Sequence, residues 1–120
     1  MIKRLNNNFT LNGKSGRKYT FEMYVFDDFD DVKDAFIDAS AIYIFTRRCQ
    51  ETSDKYAHNL IYCGETGHLN RRFYKHHHES DIKSHHANCL CVMGVSEETR
   101  EAVEADILEN NSFPVNVQHN

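Results

Sequence analysis

Three short runs rich in β-branched and aromatic residues, all between residues 41 and 95, constrain the fold of this chain most strongly. Ala41 to Thr46 and Asn59 to Cys63 are separated by a polar loop, which predicts neighbouring antiparallel strands. Asn88 to Val95 is a candidate for a third strand. The segments that follow the second and third runs carry apolar residues at helical spacing. The sequence therefore predicts a mixed α/β (α+β) domain.

The amino-terminal third predicts a β-hairpin followed by a helix. Phe9 to Leu11 and Arg17 to Phe26 are β-prone, and the glycines at positions 13 and 16 favour a turn between them. The second run has the period of two expected of a strand with one buried face. Phe29, Val32 and Phe36 then recur at helical spacing in a segment whose start contains four aspartates, which are favourable at a helix amino terminus. We interpret the aspartates as part of a solvated helix face.

A second helix is predicted after Gly64, because two glycines in residues 64–70 break the preceding strand. A period of 3.6 residues then places Leu69, Arg72, Phe73 and His76 on one face of the helix. Two polar side chains therefore face inward together with apolar neighbours. Each alone is compatible with an ordinary salt bridge or a snorkelling side chain, but together with a carboxylate in the last predicted helix and tyrosines on two adjacent strands they favour a functional role.

The last predicted helix starts near Ser96, a plausible N-cap, and extends through about Asn110. Glu104 lies within its apolar stripe, where an ionised carboxylate needs a partner. Proline at position 114 blocks continuation of a helix, so the tail Phe113 to Asn116 is predicted to be extended. Tyrosine, arginine, histidine and glutamate together are the groups that phosphodiester hydrolysis uses.

Size and composition indicate a single-core cytoplasmic protein. The 120 residues include 40% hydrophobic side chains, enough to form one core. No apolar run approaches the roughly 20 residues that cross a bilayer, and no secretory signal is apparent, so no membrane partner is expected. Four cysteines without a recognisable disulfide framework are typical of reduced thiols.

The net charge of −4 argues against a nucleic-acid partner, but it is an average over segments of opposite charge. Residues 1–20 contain five basic side chains and no acidic one, and residues 43–89 contain seven basic and five acidic side chains. The second of these segments also contains seven of the eight histidines. A basic surface can therefore face a polyanion while acidic elements lie on the opposite side.

Five motifs in this order resemble those of the GIY-YIG nuclease superfamily. They cover residues 39–117 and are Ala41-Ile42-Tyr43, Tyr62-Cys63-Gly64, the turn Gly64-Glu65-Thr66, the segment Leu69-Asn70-Arg71-Arg72 with His76, and Glu104 followed by Phe113-Pro114-Val115-Asn116. The resemblance implies a small three-stranded antiparallel sheet flanked by helices. Residues 39–120 would then be the nuclease domain, and residues 1–38 a hairpin and helix extension packed on that core.

The resemblance also implies a DNA endonuclease that hydrolyses phosphodiester bonds by in-line attack of water. Glu104 would hold one divalent ion, Mg²⁺ or Mn²⁺, which prefer carboxylate oxygen. Arg72 would bind the scissile phosphate and stabilise charge in the transition state. The expected partner is DNA, including branched or otherwise structured DNA.

The remaining implied site residues surround the attacking water. Tyr43 and Tyr62 would frame it, and the resemblance leaves open which of them is the general base, because a free tyrosine has a pKa of about 10. His76 would orient or activate the nucleophile. Asn116 would hold the site together by hydrogen bonding.

Three departures from the family pattern and two alternative functions remain. Ala41 replaces the first glycine of GIY, Cys63 replaces the central isoleucine of YIG, and Glu65 stands where some relatives carry lysine. The principal alternative is a catalytically inactive GIY-YIG-like module that binds nucleic acid or protein. The histidines and cysteines between His76 and Cys91 also suggest zinc, although they lack the paired spacing of structural zinc sites.

Overall fold

The computed structural model describes residues 1–118, which form an α+β domain with one antiparallel sheet. The five strands of this sheet are β1 (Ile2–Asn12), β2 (Lys18–Phe26), β3 (Ala41–Gln50), β4 (Tyr56–Thr66) and β5 (Cys89–Gly94). Their order across the sheet is β1-β2-β5-β3-β4. The predicted α+β class is confirmed.

The predicted hairpin is part of the sheet, which therefore has five strands where three were expected. Strand β2 pairs antiparallel with β5, and Met23 lies opposite Cys91. Strand β5 is almost entirely buried, so an open edge there would expose apolar side chains and unpaired backbone groups. The hairpin covers that edge. Strands β5, β3 and β4 are still adjacent to one another, with β3 in the middle.

Alternation along β3 gives the sheet two different apolar faces. Tyr43 and Phe45 point to one side, which we call the tyrosine face, and Phe73 packs there. Ile42 and Ile44 point to the opposite side, which we call the cysteine face because it contains the thiols of β5. Each face is covered by a separate cluster of buried side chains. Two different sites can therefore lie on the two sides of one small sheet.

A register irregularity in β4 positions the second tyrosine. Phe45 lies opposite Tyr62, whereas Thr46 lies opposite Leu60, so Ile61 is an extra residue in this strand. Ile61 and Tyr62 consequently both belong to the cluster on the tyrosine face. Bulges of this kind are common beside active sites, because they change the direction of a side chain.

Residues 1–118 contain three α-helices: α1 (Glu79–Ser84), α2 (Arg100–Asn110) and α3 (Pro114–Gln118). The helix predicted to carry Arg72 and His76 is wrong. Leu69–Arg71 is one turn of 3-10 helix, and the positive φ of 50° at Lys75 ends the helical path. The ring nitrogen Nδ1 of His76 accepts a hydrogen bond from the backbone of His78, which competes with helical bonding.

Three further boundaries differ from the predictions. The segment that contains the four aspartates forms only a 3-10 helix, Phe29–Val32, capped by reciprocal bonds between Asp28 and Asp31. Helix α2 starts at Arg100, because the Ser96 hydroxyl bonds to Thr99 instead of capping the backbone. Strand β4 continues past Gly64 to Thr66.

The predicted extended tail is wrong as well. Pro114 starts helix α3, because proline lacks only an N–H that is unbonded in the first helical turn. The helix returns the chain to β4, where Val115 is buried on the tyrosine face. Within residues 1–118, none of the helices is long and apolar enough to cross a membrane.

Candidate active site on the tyrosine face

Tyr43 lies at the centre of the candidate site and is completely buried. Its ring centroid is 6.0 Å from that of Tyr62 on β4 and 5.1 Å from that of Phe73. The ring lies directly over Gly64, where a Cβ atom would approach both Cζ and Oη of Tyr43 to 2.4 Å. Only glycine therefore fits beside this tyrosine, which explains the glycine at the end of the Tyr62-Cys63-Gly64 motif.

His76 forms a hydrogen bond with Tyr43, and the distance between Nε2 and Oη is 2.7 Å. On the other side of the ring, the backbone N–H of His78 donates to Nδ1 at 3.1 Å. Burial, reinforced by the positive charge of Arg72, lowers the pKa of His76 to about 3. The imidazole is therefore neutral at physiological pH. Because Nδ1 accepts a bond, the proton lies on Nε2, which donates to the tyrosine oxygen.

Tyr62 lies beside Tyr43, with the two ring centroids 6.0 Å apart. Burial raises the pKa of both hydroxyls, and that of the completely buried Tyr43 is raised more. The positive charge of Arg72 acts in the opposite direction on both tyrosines, because it favours a phenolate. Of the two tyrosines, Tyr62 is the better proton acceptor.

We expect the His76 ring to remain neutral, with its proton on Nε2, throughout the range from pH 5 to 8. The ring ¹⁵N shifts, measured by NMR as a function of pH, will be constant over this range and typical of the Nε2–H tautomer. Tyr43→Phe will shift the Nε2 resonance without changing the tautomer, because the bond from His78 is retained. A titration midpoint near the ordinary histidine pKa of about 6.5, or an Nδ1–H tautomer, would contradict the assignment.

Arg72 extends from the chain reversal after the 3-10 helix over the tyrosine pair. Its Cζ atom is 5.7 Å from the ring centroid of Tyr43, within reach of a cation–π interaction. The side chain is half-buried and also lines an open surface cleft of about 370 Å³, together with Thr66, His68, Arg71 and Tyr74. The guanidinium is therefore accessible from solvent on one side and in contact with the tyrosines on the other.

Glu104 is the half-buried carboxylate of this site and is contributed by α2. Burial, together with the nearby negative charges of Glu65 and Glu101, raises its pKa to about 7. Arg72 acts in the opposite direction. The raised pKa indicates that the ionised Glu104 carboxylate is not fully neutralised by positive charge. The guanidinium of Arg100, on the same helix, is bonded to Glu65 and not to Glu104. A hard oxygen donor in this setting fits Mg²⁺ or Mn²⁺, which commonly use one or two carboxylates and retain water ligands.

Asn116 connects helix α3 to the strand that carries Tyr62. Its Oδ1 accepts from the backbone N–H of Cys63 at 2.8 Å, and its Nδ2 donates to the carbonyl of the same residue at 2.9 Å. Strand β4 is at the edge of the sheet, so this pair satisfies two backbone groups that have no strand partner. Asn116 therefore acts as a positioning residue for Tyr62.

The structure thus brings five of the six predicted side chains into direct or electrostatic contact, and Asn116 holds the backbone beside them. The connections are Tyr43 with His76, Tyr62 and Arg72, and Glu104 with Arg72 and Tyr62. The grouping considered for zinc is not brought together. His76 lies on the tyrosine face, whereas Cys89 and Cys91 lie on the cysteine face.

Two contributions to the site were missed by sequence reasoning. The bond from the His78 backbone that fixes the His76 tautomer depends on a chain reversal that the helical pattern concealed. The pair between Glu65 and Arg100 depends on packing between β4 and α2, although a glutamate in place of an expected lysine was a signal.

Comparison with known proteins adds no assignment. No protein-family model, curated protein or solved structure matches the chain. The class of protein must therefore be inferred from the site itself: a buried tyrosine pair, a neutral histidine, an arginine and a half-buried carboxylate on one face of an α+β sheet.

Proposed function

We propose that this protein is a divalent-metal-dependent DNA endonuclease of the GIY-YIG type. The observation that carries the proposal is the hydrogen-bonded pair of Tyr43 and His76 beside Tyr62, with Arg72 and Glu104 within electrostatic reach. In this proposal β3, β4 and β5 are the three-stranded core of that fold, and the amino-terminal hairpin is an addition to it. Both the enzymatic activity and the DNA partner are part of the proposal.

Tyr62 would hold the attacking water. Burial raises its pKa, so the hydroxyl would first lose its own proton to solvent, and the charges of Arg72 and of a divalent ion on Glu104 would favour the phenolate. The phenolate would then accept the proton of the water. His76 supports the site indirectly, because its Nε2–H donates to Tyr43 and fixes that side chain beside Tyr62. A divalent ion on Glu104 would supply the positive charge that the leaving oxygen and a tyrosine phenolate require.

Arg72 would bind the scissile phosphate from the open cleft. A planar guanidinium donates two parallel hydrogen bonds to phosphate oxygens, which gives orientation as well as charge. The exposed neighbour Arg71 lines the same cleft and is suited to a more distant phosphate. Arg72 would therefore stabilise the transition state, whereas Arg71 would attract DNA in general.

We expect Arg72→Ala to lower the rate of DNA cleavage about 100-fold, because the variant loses a charge-assisted contact made in the transition state. Arg71→Ala will weaken binding at moderate salt and leave the maximal rate nearly unchanged. The measurement is cleavage of plasmid, branched DNA and RNA by the purified chain in Mg²⁺ or Mn²⁺. The three substrates also establish which nucleic acid is cut.

Two outcomes would overturn the proposal. One is the absence of cleavage with every substrate and both ions, accompanied by retained binding, which would favour an inactive nucleic-acid-binding module. The other is cleavage that is equal in wild type and Arg72→Ala, which would indicate a contaminating nuclease.

A further inference from the structure

A second group of ligand-type side chains lies on the cysteine face, away from the proposed nuclease site. Cys89 and Cys91 are two residues apart on β5, so both thiols point to the same side of the sheet. His58, on β4, points to that side from across β3. Every pair of ligand atoms in this trio lies within 4.8 Å. The two thiols are buried, and the histidine is half-buried.

The geometry points to a binding site for a thiophilic d¹⁰ cation, Zn²⁺ or Cu⁺, formed by His58, Cys89 and Cys91. Two thiolates and one imidazole are soft donors that select these ions over Mg²⁺ or Mn²⁺. Two cysteines and one histidine are also a known ligand set for zinc with an open fourth position. This site is independent of the carboxylate site on the tyrosine face.

The separation of the ligand atoms fits an ion with little rearrangement. A tetrahedral zinc with Zn–S bonds of about 2.3 Å places two sulfurs about 3.8 Å apart. Sulfur and nitrogen ligands would be about 3.5 Å apart, so the trio, with no pair beyond 4.8 Å, would contract by at most about 1.3 Å.

Thr46 supports the ligand set from the central strand. Its Oγ1 is 2.9 Å from Nδ1 of His58. Thr46 lies opposite Cys89 in the register of β3 and β5. Metal-binding histidines usually have such a partner on one ring nitrogen, which orients the ring. The threonine therefore connects the histidine to the cysteine strand.

An ion could reach the trio from the surface. A cavity of about 460 Å³ opens beside β1 and β4, and its lining includes His58, Met23, Leu60 and Arg48. Met23 is adjacent to Cys91 across the β2–β5 pair, and a thioether at this position favours Cu⁺ over Zn²⁺ as a fourth ligand. The preference of the site for Cu⁺ over Zn²⁺ therefore depends on Met23, which lies in the amino-terminal hairpin.

The test is metal binding by the full chain after removal of metal with a chelator under reducing conditions. We expect one equivalent of Cd²⁺, used as a probe, with the ultraviolet absorption of metal–thiolate bonds. Zn²⁺ and Cu⁺ are then compared in separate titrations against competing chelators. Met23→Leu will weaken Cu⁺ binding and leave Zn²⁺ binding unchanged if the thioether is a ligand.

Variants distinguish the trio from other metal-binding groups. His58→Gln will weaken binding at least about 10-fold, and Cys91→Ser will remove about half of the Cd²⁺–thiolate absorption. Cys63→Ser is the matched control, because it changes an equally buried thiol on the same face outside the trio. Glu104→Gln will leave Zn²⁺ and Cd²⁺ binding unchanged, so failure of the nuclease proposal does not affect this one.

Folding of each variant is checked by its thermal unfolding transition. His58→Gln changes a half-buried side chain, so it is the variant that keeps the test valid if either cysteine variant fails to fold. Less than stoichiometric binding of all three ions to the wild-type chain would overturn the proposal. Binding by His58→Gln equal to that of wild type would overturn it as well.

Discussion

The substitution Glu104→Gln is expected to lower the rate of DNA cleavage about 1,000-fold and, at pH 8, to stabilise the protein. The loss of rate follows from the proposed function, because the neutral amide cannot hold a divalent ion as a carboxylate does. The gain in stability follows from the structure. The half-buried carboxylate has a pKa of about 7, raised by burial and by Glu65 and Glu101.

The direction of the stability change depends on pH. The folded protein binds the Glu104 proton more tightly than the unfolded chain, where the pKa is near 4.5. Ionisation of this group therefore lowers the stability of wild type progressively between about pH 4.5 and 7. Glutamine removes that penalty, so the free energy of unfolding of the variant exceeds that of wild type by up to about 3 kcal/mol above pH 7. Below about pH 4 the two proteins are expected to be equally stable.

The measurement is urea unfolding of wild type and Glu104→Gln at pH 4 and pH 8 without divalent ions, beside the cleavage assay. Adding Mg²⁺ at pH 8 will stabilise wild type and leave the variant unchanged, since an ion that binds only the folded state stabilises it. Glu109→Gln is the control, because it changes an exposed carboxylate on the same helix that does not contribute to the raised pKa of Glu104. A variant that is both inactive and less stable at pH 8 would identify Glu104 as a structural residue.

The central strands could be predicted because their signals are local. The runs that start at Ala41, Asn59 and Asn88 contain β-branched and aromatic residues, and each became part of a strand. The joining of the hairpin to β5 could not be predicted from local signals. It depends on pairing between residues distant in sequence, such as Met23 and Cys91. Whether an edge is open is a property of the assembled sheet.

The candidate site shows how a wrong helix can still predict a buried residue. The 3.6-residue period correctly placed Phe73 and His76 inside, but the positive φ at Lys75 turns His76 inward after a single 3-10 turn. The spacing of apolar residues predicts which side chains are buried, but it does not predict the backbone conformation that buries them. Hydrogen-bond direction, the pKa of Glu104 and the position of His58 depend on three-dimensional neighbours, so the sequence alone could not supply them.

The substitution Gly64→Ala is expected to lower the free energy of unfolding by about 2 to 3 kcal/mol and to reduce the rate of DNA cleavage more than 100-fold. The added Cβ would lie 2.4 Å from both Cζ and Oη of Tyr43. Tyr43 cannot move aside, because it is completely buried, packs edge-on against Phe73 and is bonded to His76. The substitution therefore either displaces the ring and breaks that bond or bends β4.

Gly94→Ala provides the matched comparison. Gly94 is also at the end of a sheet strand, but a Cβ there has no atom within 4 Å, so the change is expected to shift stability by less than about 0.5 kcal/mol. The double variant Gly64→Ala with Tyr43→Phe will not recover stability, because the ring carbon Cζ is as close to the new methyl group as the hydroxyl is. Thermal unfolding measures all three variants. Equal behaviour of Gly64→Ala and Gly94→Ala would show that the Tyr43 ring can move, and the rigid arrangement of Tyr43 and His76 on which the proposed mechanism depends would then be wrong.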